Sequence, residues 1–238
     1  MSPTERVQKV LARAGVASRR VVDEMVAEGR IGVNGETARL GRRVDPERDL
    51  VTVDGIPVGL RTHLVYYLLN KPPGVVTTAS DPQGRPTVVE LVPDHPRVFP
   101  VGRLDSGSEG LLLLTNDGEL THRLTHPSFG VEKEYLAQVA GRVSRGALRQ
   151  LREGVELDDG PARATTVSQP EPSVVRIVVN EGRNRLVRRM CDAVNHPVLR
   201  LVRTRIGPLT DHKLAPGEWR KLTPNEVRTL ERHTNPPA

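Results

Sequence analysis

Residues 102–118, GRLDSGSEGLLLLTNDG, place four consecutive leucines between two segments of turn-forming residues. An apolar run of this kind, bounded by Gly, Ser, Asn and Asp, predicts a strand that is buried on both faces. Asp105 then lies in the connection that enters the strand. Because an aspartate in a Ser/Gly-rich turn most often caps the local backbone, a chemical role for Asp105 needs a second feature elsewhere in the chain.

The segments around this strand predict many strands and few helices. A buried strand over residues 64–69 precedes a turn-rich loop, and helices are predicted over residues 119–125, from Ser144 and over residues 183–195. Further strands are predicted within residues 95–104, 131–141, 162–169, 173–182, 197–207 and 217–223. Few and irregularly placed crossovers favour an α+β fold on a mostly antiparallel, mixed sheet rather than a doubly wound one.

The first 60 residues are organised differently. Ser2, Pro3 and Glu5 predict a helix that begins at once, and Ser18 is suited to cap a second helix. Two dipeptides typical of hairpin turns follow, Asn34-Gly35 and Asp54-Gly55. The sequence therefore predicts a small α/β domain over residues 1–60 and a larger α+β domain over residues 61–238.

Composition indicates a polyanionic partner and a cytoplasmic protein. Lys and Arg total 35 against 29 Asp and Glu, which gives a charge of +6 and a pI near 10.0, so nucleic acid is the leading candidate. The longest apolar run, residues 64–69, is far below the roughly 18 residues that cross a bilayer. The first ten residues lack a seven-residue apolar stretch, so we expect no secretory signal there. The single cysteine, Cys191, excludes an internal disulfide and is expected to be buried.

A second feature lies about eighty residues after Asp105. Residues 176–205 contain eight arginines and two acids, a local charge of +6. On the helix predicted there, an apolar face that includes Val187 and Met190 packs inward, and Arg185, Arg188 and Arg189 lie on the opposite face. One of these arginines could pair with a carboxylate and hold it ionised, while the alternative is a solvated helix face.

The N-terminal segments ERVQKVLARAGVASRR (5–20) and AEGRIGVNG (27–35) resemble the S-four type RNA-binding domain. In that family a basic helix face docks on structured RNA. The positions to which the resemblance assigns RNA contact are Arg6, Lys9, Arg13, Arg19 and Arg20.

Most of the chain resembles the rRNA pseudouridine synthases of the RsuA and RluB type. The segments that carry the resemblance are GRLDSGSEGLLLLTNDGEL, LNKPPGVVTT, RLTHPSFGVEKEYLAQVAG, EGRNRLVRRM and RIGPLT with PGEWRKLT. The resemblance implies that Asp105 is the catalytic aspartate, that Tyr135 stacks on the target uracil and that Arg188 pairs with the aspartate. The further substrate contacts it implies are Arg103, Arg183, Asn184, Arg185 and Val187. Leu186 departs from the pattern, because members commonly carry glutamine there.

The implied reaction moves uracil from an N-glycosidic to a C-glycosidic bond. It involves no redox change, so we expect no cofactor and no metal, and one ionised carboxylate can act as nucleophile or base. The uridine must leave its stack, so the expected partner is a structured stem-loop of ribosomal RNA with a flipped-out uridine. The pattern is nearer to RluB than to RsuA, which favours the large-subunit RNA over the small-subunit RNA. We expect a monomer.

Two other classes of function remain open at this point. A non-catalytic RNA-binding assembly factor could keep the same fold, although the intact GRLD segment argues against it. A hydrolase or metal-dependent nuclease could use His122 and His126, which are four residues apart on one predicted helix. The segment lacks the glutamate of HExxH, and the sequence offers no third ligand nearby, so no metal site is predicted.

Overall fold

Two units make up the chain in the computed structural model, which describes residues 4–60 and 63–234. One unit comprises Met1–Val65, Pro93–Val98 and Asn116–Gly118, and the other comprises Tyr66–Val92, Phe99–Thr115 and Glu119–Ala238. No helix within the described ranges is long and apolar enough to span a membrane.

The N-terminal elements form a helical pair and short strand pairs around one apolar cluster. In chain order they are β1 Glu5–Arg6, α1 Val7–Arg13, α2 Arg19–Ala27, β2 Ile31–Val33, β3 Glu36–Thr37, β4 Arg43–Val44, β5 Val51–Val53 and β6 Ile56–Pro57. Strands β3-β2-β5-β6 form one antiparallel sheet, and β1 pairs with β4. Both predicted hairpin turns are present: one joins β2 to β3 and the other joins β5 to β6. Asn34 and Asp54 have the positive φ angles that such turns require.

The first helix differs from the prediction. Ser2 and Pro3 lie outside the described residues, and Glu5 lies in strand β1, so α1 begins at Val7 rather than at the terminus. The Glu5 carboxylate contacts Lys9 and Arg13 across the helix surface instead of capping its start. The second helix is as predicted, with the Ser18 hydroxyl accepting the N–H of Val21.

The larger unit contains the remaining elements, except that the first residue of α3 belongs to the other unit. They are β7 Tyr66–Lys71, β8 Phe99–Val101, β9 Glu109–Thr115, α3 Gly118–Thr125, β10 Lys133–Val139, α4 Arg145–Glu153, β11 Val155–Leu157, β12 Gly160–Ala162, β13 Thr166–Glu171, β14 Val174–Val179, α5 Leu186–Ala193, β15 Val198–Ile206, β16 Leu209–Thr210, β17 Trp219–Lys221 and α6 Pro224–Thr234. Short 3₁₀ turns occupy Val88–Leu91 and Pro127–Phe129. The first of these strands lies two residues later than predicted.

A nine-stranded sheet organises this unit in the order β13-β14-β10-β15-β9-β7-β17, with β16 added beside β15 and β8 beside β9. The pair β15–β9 is parallel, and the other pairs are antiparallel. This confirms the α+β fold on a mostly antiparallel, mixed sheet. The four leucines lie in β9 near the centre of the sheet and are at most 2% exposed, which confirms a strand buried on both faces.

Helices cover different parts of the sheet. Helices α4 and α5 pack over β10, β13, β14 and β15, and α3 and α6 pack over β7, β9 and the end of β15. Cys191 of α5 is buried in the first of these clusters, and burial raises the pKa of its thiol to about 12. The predicted burial of Cys191 is therefore confirmed.

The parallel junction between β9 and β15 brings two backbones into very close approach at Gly110. A β-carbon at this position would lie 2.2 Å from the carbonyl oxygen of Arg203, and the φ angle of Gly110 is +103°. Only glycine adopts this conformation without strain. Because Asp105 lies five residues earlier in the chain, this junction fixes where the loop that contains Asp105 meets the sheet.

We expect Gly110→Ala to lower the free energy of unfolding by about 3 kcal/mol or more, because the added carbon meets backbone atoms that cannot rotate away. Urea denaturation monitored by circular dichroism measures the change. Gly146→Ala is the matched control, since Gly146 lies in α4 with an ordinary φ angle and an added β-carbon would make only an ordinary contact, 3.7 Å from Ser144 Oγ, so there we expect no loss. Equal stability of the two variants would show that the close approach is not required.

Candidate functional site

Asp105 lies in the loop between β8 and β9 and contributes to a cleft of about 200 Å³. Its side chain is about one-third exposed, so the carboxylate is accessible from the cleft. The other residues that line the cleft are Arg103, Leu104, Ser108, Tyr135, Val179, Glu181, Gly182, Arg183, Asn184, Arg185, Leu186, Val187 and Leu201. The segments around residues 105, 135 and 186, far apart in the sequence, are thus brought together.

The backbone of the Asp105 loop is held by residues that precede it by about thirty positions. Thr77 Oγ1 donates to the carbonyl of Leu104 at 2.7 Å and accepts the N–H of the same residue at 3.3 Å. Lys71 Nζ donates to the carbonyls of Ser106 and Ser108 at 3.1 and 2.8 Å. Both side chains are buried, at 7% and 0% exposure. These hydrogen bonds therefore hold the loop backbone both before and after Asp105.

Arg188 also contacts this loop, but it does not pair with Asp105 as expected. Its Nη2 donates to the carbonyl of Gly107 and to Ser108 Oγ, each at 3.2 Å, and its Nη1 donates to the carbonyl of Val198 at 3.2 Å. These contacts direct the guanidinium to the backbone of the loop. The predicted ion pair between Arg188 and Asp105 is therefore wrong in its geometry, although both residues belong to the same site.

Arg185 is the arginine that approaches the carboxylate, with Nη1 3.9 Å from Oδ2 of Asp105. The sequence predicts a helix from residue 183, but α5 begins at Leu186 and Arg185 has a left-handed conformation with φ 49°. That conformation turns Arg185 off the helix face on which the periodicity placed it. The later helix start and the approach of Arg185 to Asp105 both involve this left-handed residue.

The loop before α5 is tied to the hairpin β11–β12. Arg183 donates to Glu181 and Asp159 side chains at 2.8 and 2.9 Å, and to the carbonyls of Gly160 and Pro161. Arg189 forms a two-pronged contact with the Asp159 carboxylate at 2.8 and 2.9 Å. The loop lines the cleft from Glu181 to Arg185, so Asp159 helps to fix one wall of the site.

An apolar wall faces these charged groups. Tyr135 is half-buried on β10 and packs against the cluster that contains Val187 and Leu201. Leu186 and Val187 are each 4% exposed. Leu186 packs in the core, where a glutamine would need a polar partner, so its departure from the family pattern matches its surroundings. A flat, uncharged ring could rest on this wall.

The charge of residues 176–205 is largely balanced by acids from elsewhere in the fold. Six of the eight arginines lie within 4.0 Å of a carboxylate. These pairs are Arg176–Glu134, Arg183–Asp159, Arg185–Asp105, Arg189–Asp159, Arg200–Glu109 and Arg205–Glu132. Of the three arginines predicted on the outward helix face, Arg185 and Arg189 are ion-paired and Arg188 hydrogen-bonds to the Asp105 loop, so the alternative of a solvated face is not found.

The basic residues predicted on the N-terminal unit fall into two groups. Lys9 and Arg13 contact the Glu5 carboxylate at 2.7 and 2.8 Å; burial opposes ionisation of Glu5, but these two contacts lower its pKa below the usual value. Arg6, Arg19 and Arg20 are exposed, and the last two lie in the first turn of α2. The second group is the more available for an anionic ligand.

The sequence did not identify Lys71, Thr77 or Asp159 as parts of the site. Lys71 and Thr77 lie in the segment LNKPPGVVTT, which carried the resemblance without an assigned role. Only the paired strands β7 and β9 place Lys71 beside Gly110 and under the Asp105 loop. Within residues 4–60 and 63–234 no group of three or more His, Cys, Asp or Glu side chains is arranged to hold a metal ion.

Lys71 gives a prediction on the pH dependence of stability. Burial lowers the pKa of its ammonium group to about 8, with Arg203 adding to this and the Glu109 and Asp105 carboxylates opposing it. The unfolded chain, with an ordinary lysine pKa of 10.5, then binds this proton more tightly than the folded protein. Raising the pH from 8 to 10.5 removes that advantage of the unfolded state.

We therefore expect the free energy of unfolding of the wild type, relative to Lys71→Met, to increase by up to about 3 kcal/mol across this interval. Urea denaturation of both proteins on either side of the interval measures the difference, and groups that both proteins share, such as Lys133, cancel. A difference that is constant with pH, or that falls, would contradict the lowered pKa.

Comparisons with known proteins match both the N-terminal segment and the larger part of the chain. The family model for RNA pseudouridylate synthase matches residues 65–193, and the model for the S4 domain matches residues 5–50. A pseudouridylate synthase crystal structure superposes with a TM-score of 0.69 and 30% identity over 94% of this chain and 99% of that chain.

Relatives of similar length extend the match to nearly the whole chain. An uncharacterised RNA pseudouridine synthase of Mycobacterium bovis is 50% identical, over 94% of this chain and 92% of its own. The ribosomal large subunit pseudouridine synthase B of Bacillus subtilis is 43% identical, over 95% of each chain. The chain that holds Asp105 in this cleft therefore belongs to the RNA pseudouridylate synthase family and carries an S4 domain ahead of its catalytic domain.

Proposed function

We propose that this protein converts one specific uridine of large-subunit ribosomal RNA to pseudouridine, as a monomer in the cytoplasm, with Asp105 as its catalytic group. The observation that carries the proposal is the Asp105 carboxylate in a cleft that is also lined by Arg185, Tyr135 and Val187, with Arg185 Nη1 3.9 Å from the carboxylate. The choice of ribosomal RNA rests on relatives such as the Bacillus subtilis enzyme, whose name states that substrate.

The cleft suits a single flipped-out base. Its volume of about 200 Å³ is below the roughly 300–1,000 Å³ of pockets for larger ligands. A uracil that leaves its stack loses base contacts, which an aromatic ring and an apolar wall can replace. In this pose Tyr135 stacks on the uracil and Val187 supports it. Asp105 then faces the glycosidic bond as nucleophile or base.

Arginines and an amide around the cleft then bind the RNA backbone and orient the uridine. Arg103 is exposed and lies two residues before Asp105 in the chain, and Asn184 lies in the loop before α5, which also lines the cleft. Arg183 and Arg185 lie in the same loop, and the guanidinium of Arg185 lies 3.9 Å from the Asp105 carboxylate. The N-terminal unit adds phosphate contacts through Arg6, Arg19 and Arg20, with Lys9 and Arg13 beside them.

Arg188 acts in this proposal as a positioning residue. It holds the carbonyl of Gly107 and the hydroxyl of Ser108, and so fixes the turn that presents Asp105. A shift of about 1 Å in a reacting group can lower the rate about a hundredfold. The contribution of Arg188 is therefore expected in turnover rather than in RNA affinity.

We expect Asp105→Asn to abolish pseudouridine formation while leaving the fold and RNA binding largely intact, because the amide keeps the size of the side chain and loses its charge. The measurement is site-resolved pseudouridine mapping of unmodified ribosomal RNA incubated with each protein, and of RNA from cells with and without the gene. Turnover retained by Asp105→Asn would refute the catalytic assignment.

Modification of small-subunit RNA alone would refute the choice of subunit, and a wild type that binds RNA without modifying it would favour an assembly factor.

We expect Arg188→Ala to lower kcat about a hundredfold with little change in the dissociation constant for RNA, because the Asp105 turn loses two of its hydrogen bonds. Single-turnover kinetics at saturating enzyme measure the effect. Arg152→Ala is the matched control, since Arg152 also holds a backbone carbonyl, that of Val167, but does not line the cleft. Loss of kcat in both variants alike would point to general destabilisation instead.

A further inference from the structure

Three exposed rings form a cluster outside the cleft, on helix α3 and the 3₁₀ turn that follows it. The ring centroids of His122 and His126 are 4.9 Å apart, and Phe129 stands edge-on to them at 5.9 and 6.3 Å. All three side chains are exposed, including 36% of Phe129. We refer to His122, His126 and Phe129 as the ring cluster. The ring cluster contains one of the two phenylalanines in the chain.

The ring cluster is held in place by local hydrogen bonds. His126 Nδ1 lies 2.7 Å from Ser128 Oγ and accepts the N–H of Ser128 at 3.3 Å. Pro127 begins the 3₁₀ turn and Gly130 ends it in a left-handed conformation. A surface whose rings are already fixed loses little conformational entropy when a flat ligand stacks on it.

The ring cluster lies beside the segment that leads to Asp105. A β-carbon at Gly102 would lie 3.7 Å from Cγ2 of Thr125, the residue next to His126. Gly102 in turn precedes Arg103, which lines the cleft, is exposed and has no ion pair or hydrogen bond within the described ranges. A free guanidinium therefore lies in the chain between Asp105 and the residue that contacts α3.

We propose that the ring cluster binds an unpaired RNA base next to the target uridine, while Arg103 contacts the intervening phosphate. This rests on the proposed function for the identity of the RNA. Single-stranded bases stack on Phe and His rings without regard to sequence, and backbone charge is met by arginine. A metal ion fits the histidines less well, because no third ligand completes a site among the described residues. The occupant is therefore a nucleobase.

If a base stacks on the ring cluster, RNA affinity should depend on the aromatic ring at position 129 rather than on the apolar volume of that side chain. Phe129→Leu keeps an apolar side chain and removes the ring, and Phe129→Tyr keeps the ring. For an unmodified large-subunit RNA transcript, we expect the dissociation constant to rise about tenfold for Phe129→Leu and to stay unchanged for Phe129→Tyr. His122→Ala should weaken binding in the same direction. His212→Ala, another exposed histidine of the same unit, is the control and should bind as the wild type does.

A fluorescence experiment tests whether the ligand of the ring cluster is a base. In the transcript, 2-aminopurine replaces each unpaired base beside the target in turn, and stacking at one position should quench its fluorescence with the wild type and not with Phe129→Leu. At saturating enzyme, kcat should be equal for the two proteins. The proposal is overturned if Phe129→Leu binds as tightly as the wild type, if leucine and tyrosine weaken binding equally, or if no position is quenched. A wild type that binds the transcript but forms no pseudouridine would refute the proposed function while leaving this binding test intact.

Discussion

The position of Asp105 depends on hydrogen bonds that other elements donate to the backbone of its loop. A Ser- and Gly-rich loop is flexible by itself, because small residues restrict the backbone little. Lys71, Thr77 and Arg188 supply donors to carbonyls at residues 104, 106, 107 and 108. A bond from an ionised donor contributes about 1.5–3 kcal/mol. The rigidity of the turn therefore comes from β7, the following loop and α5 rather than from its own sequence.

Charge balance around the cleft follows from the same arrangement. A cluster of unpaired arginines would attract phosphate, whereas the group to be processed, uracil, is neutral. Pairing most of these arginines with carboxylates leaves the apolar wall of Tyr135 and Val187 as the uncharged surface of the cleft, where the proposed function places the base. In the proposed function, attraction of the polyanionic backbone is then left to exposed arginines such as Arg103 and Arg19.

The sequence predicted what local patterns determine. The leucine run, the capped helix after Ser18 and the α+β fold follow from periodicity and turn chemistry, and they are confirmed. The predicted start of α5 was wrong, because the left-handed conformation of Arg185 makes the helix begin at Leu186, although the helical periodicity of the sequence extends before that residue. The pairing of Arg188 was wrong because its guanidinium binds backbone carbonyls, to which residue type gives no clue. Lys71 was missed because strand register, not spacing, brings it to the loop.

Lysine at position 71 does two things that no neutral residue can combine. Its three donors match three carbonyls, those of Pro72, Ser106 and Ser108. Its charge also attracts the carboxylates of Asp105 and Glu109, an interaction that burial strengthens by excluding water. Methionine would fill the space but remove the hydrogen bonds that Lys71 donates to these carbonyls, and a buried amide would lack the charge. The desolvation that lowers the pKa of Lys71 is thus the cost of holding a loop and its carboxylate with one group.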